Sequence, residues 1–376
     1  MIGNITYRIL DTLKVNIITR HSIINYGSLL QAFALQEVIK RMGHSCEIID
    51  YIREDETYQN IEKSILKRKN KWNSNIFKNI LYLLIRQPES IIAGRKFAKM
   101  RKKYLFLTRN YSSVGQLLKN RPEADIYVTG SDQVWGPVVD GTYDDSYFLS
   151  FVNGKKVSYA ASFGRTEVKD ELLNLCKGLL SSYEKITVRE KSAVKILKDM
   201  GIESELVLDP VLLLSSFFWD KYTEPIIEKD YILIYQLHND KTLGEYAKKV
   251  AEAKGLSLIR VSAYYHQILR EGKLKYCPSL GKFLGYIKNA KCLITDSFHG
   301  TAFAIIFNIP FIEILPKNST GTRNMNILEL TGLTDRILTN VDNTKLIDEK
   351  IDYTDVNRIL LEYRKSSTKK LRNMLT

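Results

Sequence analysis

One short turn of the sequence combines residue types that can bind an anion and move a proton. It runs from Thr295 to Thr301 and joins the apolar run KCLIT to the apolar run AFAIIF. This pattern predicts a strand followed by a helix, with Ser297 or Thr301 capping the helix and Gly300 letting a ligand approach the backbone. His299 would lie beside a phosphate-sized site. Since histidine titrates near pH ~6.5, His299 is the candidate proton donor or acceptor, unless it only bonds to a core group.

Three basic residues are candidates for holding an anionic donor molecule. Arg189 follows the strand-like stretch KITV, and an arginine binds a carboxylate or phosphate through two parallel hydrogen bonds. An ordinary surface pair between Arg189 and Glu190 explains the same residues about equally well. Lys317 and Arg323 flank a polar loop after the apolar stretch PFIEIL and could clamp an anion, although basic loop residues are most often solvated.

Three turns in the first half of the chain follow predicted strands and offer contacts for a sugar. They are NYGS, GSDQVW and ASFGR. A carboxylate, an amide and an aromatic ring within GSDQVW suit sugar hydroxyls and the apolar face of a pyranose. Equally, Trp135 could fill a core gap and Asp132 could cap a helix. The candidate acceptor-binding residues are Asn25, Tyr26, Asp132, Gln133 and Trp135.

Alternating strand and helix patterns must position these residues. The segments KVNIITRH, NYGSLLQAFALQEVIKRMG and HSCEIIDY predict strand, helix and strand, with Gly43 ending the helix. Further short apolar strands separated by helices predict a parallel sheet covered on both faces. A second series begins at DYILIYQL. We therefore expect an α/β fold with two doubly wound domains facing a cleft and ligands at the carboxyl ends of the strands.

The predicted domain boundaries follow from these patterns. Residues 1–222 form an N-terminal Rossmann-like domain and residues 223–350 a second one, with a polar, proline-containing stretch at the boundary. Residues 53–121 are basic and mostly helical in period, and they are interpreted as an insertion into the first domain. Residues 351–376 have helical spacing and could pack back on the first domain.

The formal net charge of +14 is concentrated in the segment 53–121. There seventeen Lys/Arg stand against five Asp/Glu, an excess of twelve positive charges. The remainder is nearly balanced and contains no recognisable nucleic-acid-binding module, so no nucleic-acid partner is expected. The same segment holds an apolar run from Ile76 to Ile85. This run either lies on an anionic membrane or packs against the first domain, and packing is the blander interpretation.

Other features of the sequence bear on compartment and metal binding. The first residues alternate apolar with polar ones, and no stretch reaches the length of a membrane span, so a cytoplasmic protein is expected, with peripheral contact at the inner membrane face as an option. The cysteines lack CxxC spacing and neighbouring histidines, which favours reduced packing residues over disulfides or a zinc site. They are Cys46, Cys176, Cys277 and Cys292. No metal site is expected.

Six stretches, in order from about residue 15 to 315, resemble the polysaccharide pyruvyl transferase family: NYGSLLQAFALQ, GSDQVW, SYAASFG, VREKSAVKIL, LDPVLLL and DSFHGTAFAIIF. The resemblance implies Rossmann-like domains similar to the GT-B glycosyltransferases, and a phosphoenolpyruvate donor. It places the family's histidine on His299 and its arginine on Arg189. The downstream basic residue falls on Lys317, or second on Arg323. The turn GSDQ departs from the glycine-rich turn of other branches, so the resemblance leaves the identity of the acceptor open.

The reaction that the resemblance implies makes a pyruvate ketal on a sugar of a polysaccharide or a lipid-linked glycan. His299 donates a proton to the methylene carbon of phosphoenolpyruvate while a sugar hydroxyl attacks the central carbon. Loss of phosphate and attack by a second hydroxyl close the ketal, with Arg189 and Lys317 holding the donor. Phosphoenolpyruvate is a co-substrate, and no cofactor is implied. The alternative is a nucleotide-sugar-dependent glycosyltransferase of the same fold, because His299 could equally face a diphosphate at a helix N-terminus.

Overall fold

Two parallel β-sheets organise the fold. The computed structural model describes residues 12–68, 75–168, 170–316 and 321–376, except for the side chains of residues 170–172. In this part of the chain the first sheet consists of β1 (Lys14–Ile18), β2 (Ser45–Tyr51), β3 (Leu107–Tyr111), β4 (Ile126–Asp132), β5 (Lys156–Ala161), β6 (Lys185–Val188) and β7 (Glu205–Leu206). Its strand order is β3-β2-β1-β4-β5-β6-β7, with neighbours parallel.

The second sheet repeats the same arrangement with fewer strands. Over the described residues it consists of β8 (Tyr231–Tyr235), β9 (Ser257–Ser262), β10 (Lys273–Tyr276), β11 (Cys292–Thr295) and β12 (Phe311–Glu313). Its order is β10-β9-β8-β11-β12, again parallel. In both sheets the chain starts in the middle and changes direction beside the first strand, which creates a switch point where ligands bind. The predicted α/β class with two doubly wound, Rossmann-like sheets is confirmed.

Helices cover both sheets and begin at polar caps. They are α1 (Tyr26–Arg41), α2 (Ile61–Arg68), α3 (Ile76–Tyr104), α4 (Val114–Lys119), α5 (Asp170–Leu180), α6 (Lys191–Asp199), α7 (Pro210–Leu213), α8 (Ser216–Asp220), α9 (Lys241–Lys254), α10 (Leu280–Lys288), α11 (Phe298–Phe307), α12 (Gly321–Thr331) and α13 (Tyr353–Met374). Helix α11 is apolar all round and is buried along nearly its whole length, as expected for a helix in the core.

The interpretation of segment 53–121 as a helical insertion is wrong. Residues 107–111 form β3, which pairs with β2 at the edge of the first sheet. Helix α3 is therefore the crossover connection between two neighbouring parallel strands. The sequence hides β3 because it is an edge strand in which only Tyr111 is fully buried, so the stretch LTRNY lacks the apolar run that marks a central strand.

The last helix, α13, joins the end of the chain to the first sheet. The backbone N–H of Leu208 donates to Ser367 Oγ at 3.0 Å, and Lys370 Nζ donates to the Leu206 carbonyl at 3.2 Å. At its start, the Tyr353 hydroxyl donates to the carbonyl of Ile309 in the second half of the chain. Helix α13 thereby links the two halves.

Two further observations concern compartment and metals. All four cysteines are buried and none is joined to another. Within the described ranges, no helix is long and apolar enough to cross a bilayer. In the same residues, no group of three or more His, Cys, Asp or Glu side chains is placed to hold a metal ion.

Candidate active site

The ends of several strands bring five charged or titratable side chains together in the cleft between the sheets. They come from the end of β4, the residues just after β6 and β7, and the first turns of α11 and α12. Carboxyl ends of parallel strands lie at one edge of a sheet, which is why positions far apart in the sequence meet here. We refer to these residues as the charged cluster: Asp132, Arg189, Asp209, His299 and Arg323.

Arg189 is at the centre of the charged cluster and is fully engaged by carboxylates. Its Nη1 donates to Asp209 Oδ2 at 2.6 Å, and its Nη2 donates to Asp132 Oδ1 at 2.7 Å. Burial would lower the pKa of Arg189, but these carboxylates outweigh it and raise the pKa. Nη1 and Nη2 of Arg189, which were predicted to bind a donor, therefore already donate to two aspartates. Only Nε is without a hydrogen bond, 3.9 Å from Glu190 Oε2.

The two aspartates are fixed by hydroxyl groups as well as by Arg189. Ser28 Oγ donates to Asp132 Oδ2 at 3.0 Å, and Ser131 Oγ donates to Asp209 Oδ2 at 3.2 Å. Although burial opposes it, the positive charge of Arg189 holds the pKa of Asp132 well below its usual range. Sequence reasoning missed Asp209. The signal available was the stretch LDPVLLL, in which an aspartate after a short strand caps a helix that begins with proline.

The imidazole of His299 is held neutral by its surroundings. Its Nε2 lies 3.9 Å from Asp209 Oδ2, too far for a hydrogen bond, and has no partner among the described residues. Burial lowers the pKa of His299 to about 4 against the opposing pull of the two carboxylates, and the two guanidinium groups lower it further. At neutral pH the ring is therefore uncharged. It is able to accept a proton from a ligand that enters the cleft.

A glycine of the first domain is the surface against which His299 packs. A Cβ built on Gly27 would lie 2.0 Å from His299 Nδ1, a distance that no side chain tolerates. Gly27 belongs to the first turn of α1, so the backbone of one domain positions the ring carried by the other. Gly27 of the stretch NYGS thus contributes to the site because it has no side chain and leaves room for the ring of His299.

Arg323 has the guanidinium that the carboxylates leave most open. Its Nη1 lies 3.7 Å from Asp132 Oδ1, a loose ion pair, and its Nε is buried without a hydrogen-bond partner. Burial lowers the pKa of Arg323, and repulsion from Arg189 lowers it further. Both arginines line a cavity of about 330 Å³ whose remaining wall is mostly apolar and includes Phe298. An anion bound in this cavity would supply the negative counter-charge that the guanidinium of Arg323 lacks.

The turn that carries His299 satisfies its own hydrogen bonds. Ser297 Oγ accepts from the Gly300 N–H at 3.3 Å, and Thr301 Oγ1 donates to the Ser297 carbonyl at 3.1 Å. A Cβ on Gly300 would lie 2.6 Å from Thr295 Oγ1, so close packing is a sufficient reason for this glycine. Direct contact of these three residues with a donor stays a prediction. Lys317 lies outside the described residues.

Two of the predicted acceptor residues are wrong, because their side chains form interior contacts. Trp135 is fully buried, with its ring centroid 5.2 Å from that of Phe163. Tyr26 is 1% exposed and stacks on Phe283 of the second domain at 4.2 Å, and its hydroxyl donates to the Pro278 carbonyl at 2.7 Å. Trp135 thus fills a core and Tyr26 joins the domains. Neither ring has a face open to a pyranose.

The other predicted acceptor residues lie around the same loops. Asn25 caps α1 by accepting from the Gly27 N–H at 2.7 Å. Gln133 packs under Gly164, where a Cβ would lie 2.6 Å from the Gln133 side chain. Asp132 belongs to the charged cluster. Contact of Asn25 and Gln133 with an acceptor stays a prediction.

One buried carboxyl group bears on nucleotide recognition. Glu313, at the end of β12, is fully buried, and burial raises its pKa to about 8. One of its oxygens is hydrogen-bonded to the Thr301 hydroxyl, and Asn324 Nδ2 donates to the other at 2.5 Å. Both oxygens are therefore occupied within the protein, and neither is free to accept from the hydroxyls of a ribose.

Comparison with protein families identifies the class of molecule to which this site belongs. The fold and the cleft are those of a two-domain α/β transferase. The chain belongs to the polysaccharide pyruvyl transferase family, whose model matches residues 25–317 and so includes most of the charged cluster. The family assignment indicates a transferase with a role in polysaccharide pyruvylation. Among curated proteins, no match to the chain was found.

Solved structures similar to this chain agree on the fold. A UDP complex of MnaA from S. aureus superposes with a TM-score of 0.53 at 12% identity, covering 97% of this chain and 96% of that one. A UDP-N-acetylglucosamine 2-epimerase from Rickettsia bellii gives 0.50 at 13% identity, with the same coverage of 97% and 96%. At such low identity the likeness shows the fold alone. The expected GT-B-like arrangement of two domains is confirmed.

Proposed function

We propose that the protein transfers the pyruvyl unit of phosphoenolpyruvate to two hydroxyls of one sugar in a polysaccharide or lipid-linked glycan, forming a cyclic ketal and releasing phosphate. The observation that carries the proposal is the charged cluster, in which a neutral imidazole without a hydrogen bond at Nε2 and an incompletely paired guanidinium lie beside the same two aspartates. The family assignment gives the reaction its class. The reaction is written without a cofactor.

The proton transfers balance with a single histidine. His299, neutral at rest, accepts the proton of the first sugar hydroxyl as its oxygen bonds to the central carbon of the donor. The same proton passes to the methylene carbon, which becomes a methyl group. The carbon–oxygen bond to phosphate then breaks, and the second hydroxyl bonds to the same carbon. Its proton leaves with the phosphate, so the net products are the ketal and inorganic phosphate.

The charges of the cluster favour proton uptake when the donor binds. With His299 neutral, the two guanidinium groups balance the two aspartates, so the cluster carries no net charge before the donor arrives. A phosphate and a carboxylate beside His299 stabilise its charged form and raise its pKa. Arg323 is the described residue best placed to bind the donor, and Lys317 remains the expected second cation. Arg189 acts by holding Asp132 and Asp209 in place.

The decisive experiment follows phosphate release by the purified protein. Phosphoenolpyruvate is supplied with a panel of glycans, and the ketal methyl group is detected by proton NMR. Phosphate release that depends on a glycan, together with a new methyl singlet, is the expected result. A nucleotide-sugar-dependent glycosyltransferase would instead release nucleoside diphosphate from a UDP-sugar. Turnover of UDP-sugars without turnover of phosphoenolpyruvate would overturn the proposal, and the occupied oxygens of Glu313 argue against that outcome.

A second part of the proposal concerns the membrane surface at which the protein binds its acceptor. Helix α3 begins with an apolar stripe of six side chains that are 51% to 77% exposed: Ile76, Phe77, Ile80, Leu81, Leu84 and Ile85. Their spacing puts them on one face of the helix. They do not pack against the first domain, the blander of the two interpretations of this run. We propose that the stripe rests on the cytoplasmic face of an anionic membrane that carries a lipid-linked acceptor.

Charge complementarity supports a membrane as the occupant of the apolar stripe. Lys78 is exposed on the same helix, Lys67 is exposed on α2, and the segment 53–121 carries most of the chain's excess positive charge. Near an anionic leaflet each basic residue contributes about 1 kcal/mol, and apolar side chains add burial at the headgroups. Several weak contributions of this kind are sufficient for reversible binding.

Vesicle co-sedimentation separates a membrane from other occupants. We expect binding to phosphatidylcholine vesicles only when they contain phosphatidylserine, and a loss of at least tenfold when Phe77, Leu81 and Leu84 are changed to Ser. Ile227→Ser is the matched control, because Ile227 is 90% exposed and lies elsewhere. Changing Lys67, Arg68, Lys69 and Lys71 to Gln should weaken binding and its salt dependence. A stable dimer that the serine variant abolishes would show that a second copy covers the stripe instead.

A further inference from the structure

A second cavity, of about 300 Å³, lies beside the charged cluster and is not used by the proposed donor site. The loop after β1, including Arg20 and Ile24, and residues 137–139 after β4 form one wall, and helices α2 and α3 form the opposite wall. The same two loops continue into the charged cluster, through Gly27 against His299 and through Asp132. This second cavity therefore lies at the switch point of the first sheet, where ligands of such folds bind.

One arginine in this cavity differs from every other deeply buried arginine in the described part of the chain. Five arginines are at most 8% exposed: Arg20, Arg101, Arg189, Arg260 and Arg336. All except Arg101 have a carboxylate within 4 Å. For Arg101 the structure gives one hydrogen bond, from Nη1 to the Ser22 carbonyl at 3.2 Å. Burial lowers the pKa of Arg101, and the charge of Asp50, which is not within ion-pair distance, and Tyr58 oppose this shift.

The carboxylates that line the cavity do not supply the missing charge, because each has its own partners. Glu56 Oε1 accepts from Arg20 Nη2 at 3.0 Å. Glu62 accepts from the Tyr82 hydroxyl at 2.6 Å and from Ser90 Oγ at 2.5 Å. A buried guanidinium without a carboxylate in direct contact is costly, and an anionic ligand can supply the missing partner. Arg101 thus faces the cavity as an unfilled anion-binding group.

The rest of the lining suits a sugar. The rings of Tyr58 and Tyr264 and several aliphatic side chains provide apolar surface, and the hydroxyls of Ser22 and Ser90 lie among them. Sugar sites combine apolar faces with a few polar groups that fix orientation. Tyr264 comes from the second domain, so both domains contribute to the lining of this cavity.

We propose that this cavity, the Arg101 cavity, binds the acceptor sugar and that Arg101 pairs with an anionic group carried by the acceptor. The shared chemistry is an anionic glycoside, whether its charge is the carboxylate of a uronic acid or the phosphate of a sugar phosphate. The inference rests on the proposed function for the identity of the reaction and adds the place and the charge of its second substrate. It replaces Trp135 and Tyr26 as acceptor contacts.

Direct binding tests the Arg101 cavity without any reaction. Calorimetric titrations of the full chain would use methyl glucuronide, galactose 1-phosphate and, as the neutral probe, methyl galactoside, each without phosphoenolpyruvate. At least one anionic probe is expected to bind tenfold or more tightly than the neutral one, and its identity distinguishes carboxylate from phosphate. Arg101→Gln should weaken that probe at least thirtyfold, whereas Lys102→Gln, an exposed neighbour on the same helix, should not. Equal binding by both variants, or no binding of any probe, would overturn the proposal.

Kinetics and stability separate ligand binding from a structural role. Arg101→Gln should raise the KM of an anionic acceptor and leave the KM of phosphoenolpyruvate unchanged, with partial recovery in Arg101→Lys. Because the variant removes an unpaired buried charge, its thermal midpoint should stay the same or rise, whereas a structural arginine would lower it. Binding of anionic sugars through Arg101 without glycan-dependent phosphate release would overturn the proposed function and leave the cavity standing. Phosphate release unaffected by Arg101→Gln would do the reverse.

Discussion

The charged cluster and the Arg101 cavity both contain a buried arginine, but the two arginines have opposite surroundings. Arg189 donates to two aspartates at 2.6 and 2.7 Å, whereas Arg101 has one hydrogen bond to a backbone carbonyl and, among the described residues, no carboxylate within 4 Å. Arg189 is an internal brace: it holds two aspartates in place, and their carboxylates already neutralise its charge. The guanidinium of Arg101 has no carboxylate partner in direct contact and is therefore available to bind an anionic ligand. An arginine in a cleft is therefore informative about ligands only when its partners are counted.

The same comparison explains why the donor and the acceptor are assigned to different cavities. In the charged cluster the group left incomplete is Arg323, together with the unpaired Nε2 of His299. In the Arg101 cavity the incomplete group is Arg101 itself. The Arg101 cavity borders loops at the carboxyl ends of β1 and β4, and the end of β4 also carries Asp132 of the charged cluster, so both sites lie along the same edge of the first sheet.

The largest expected effect is on turnover by His299→Gln. If His299 relays the proton from the sugar hydroxyl to the methylene carbon, kcat should fall by roughly 10²–10⁴-fold while circular dichroism is unchanged. His44→Gln, on the far side of the first sheet at the amino end of β2, is the matched control. Near-normal phosphate release by a folded His299→Gln protein would remove the histidine from the mechanism.

Next in size is the stability difference between the two arginines. Arg189→Gln leaves Asp209 without its close cation and Asp132 with only the looser pair to Arg323, and breaking a buried pair in this way costs roughly 3–5 kcal/mol. Arg101→Gln should cost little or nothing. Urea unfolding of the two variants side by side measures the contrast. Equal losses in both would contradict the distinction between a brace and a ligand group.

Much of the fold could be predicted from the sequence because central parallel strands are continuous apolar runs. Stretches such as YILIY and KCLIT, each followed by a helix, leave few alternatives to a parallel sheet. The edge strand β3 was not predicted, because the stretch LTRNY is polar on its exposed side and directly follows a long basic helix. The periodicity of apolar residues reflects which positions are buried, and in an edge strand few positions are buried.

The candidate site could be predicted only in part. His299 and Arg189 were found because they follow apolar strands, and their positions at the cleft agree with that reasoning. Asp209 was missed because it follows a strand of two residues. Arg101 could not be recognised, because nothing in the run KMRKKY separates one buried cation from three exposed ones. Trp135 was misjudged because a sequence does not show which side of a turn faces the core.

The third prediction uses pH to test the environment of His299. Because its folded pKa is about 4, below the unfolded value of ~6.5, the unfolded chain takes up a proton first as the pH falls. The neutral ring is thus fully tolerated above about pH 6.5 and increasingly destabilising down to pH 4, by up to about 3 kcal/mol. In His299→Gln this component is absent, so the wild type should lose more stability than the variant across that window. Parallel curves for the two proteins would contradict the buried, neutral state.

The smallest effect is expected for Gly27→Ala, and it separates the two cavities most sharply. A Cβ at position 27 would lie 2.0 Å from His299 Nδ1, so the ring must shift, and a misplaced proton relay lowers kcat by about tenfold or more. The Arg101 cavity is lined by earlier residues of the same loop and should still bind an anionic sugar with unchanged affinity. Gly178→Ala, where a Cβ would meet open space, is the control and should leave turnover alone. A Gly27→Ala protein that lost sugar binding along with turnover would show that the two cavities respond as one site, and the assignment of donor and acceptor to separate cavities would then fail.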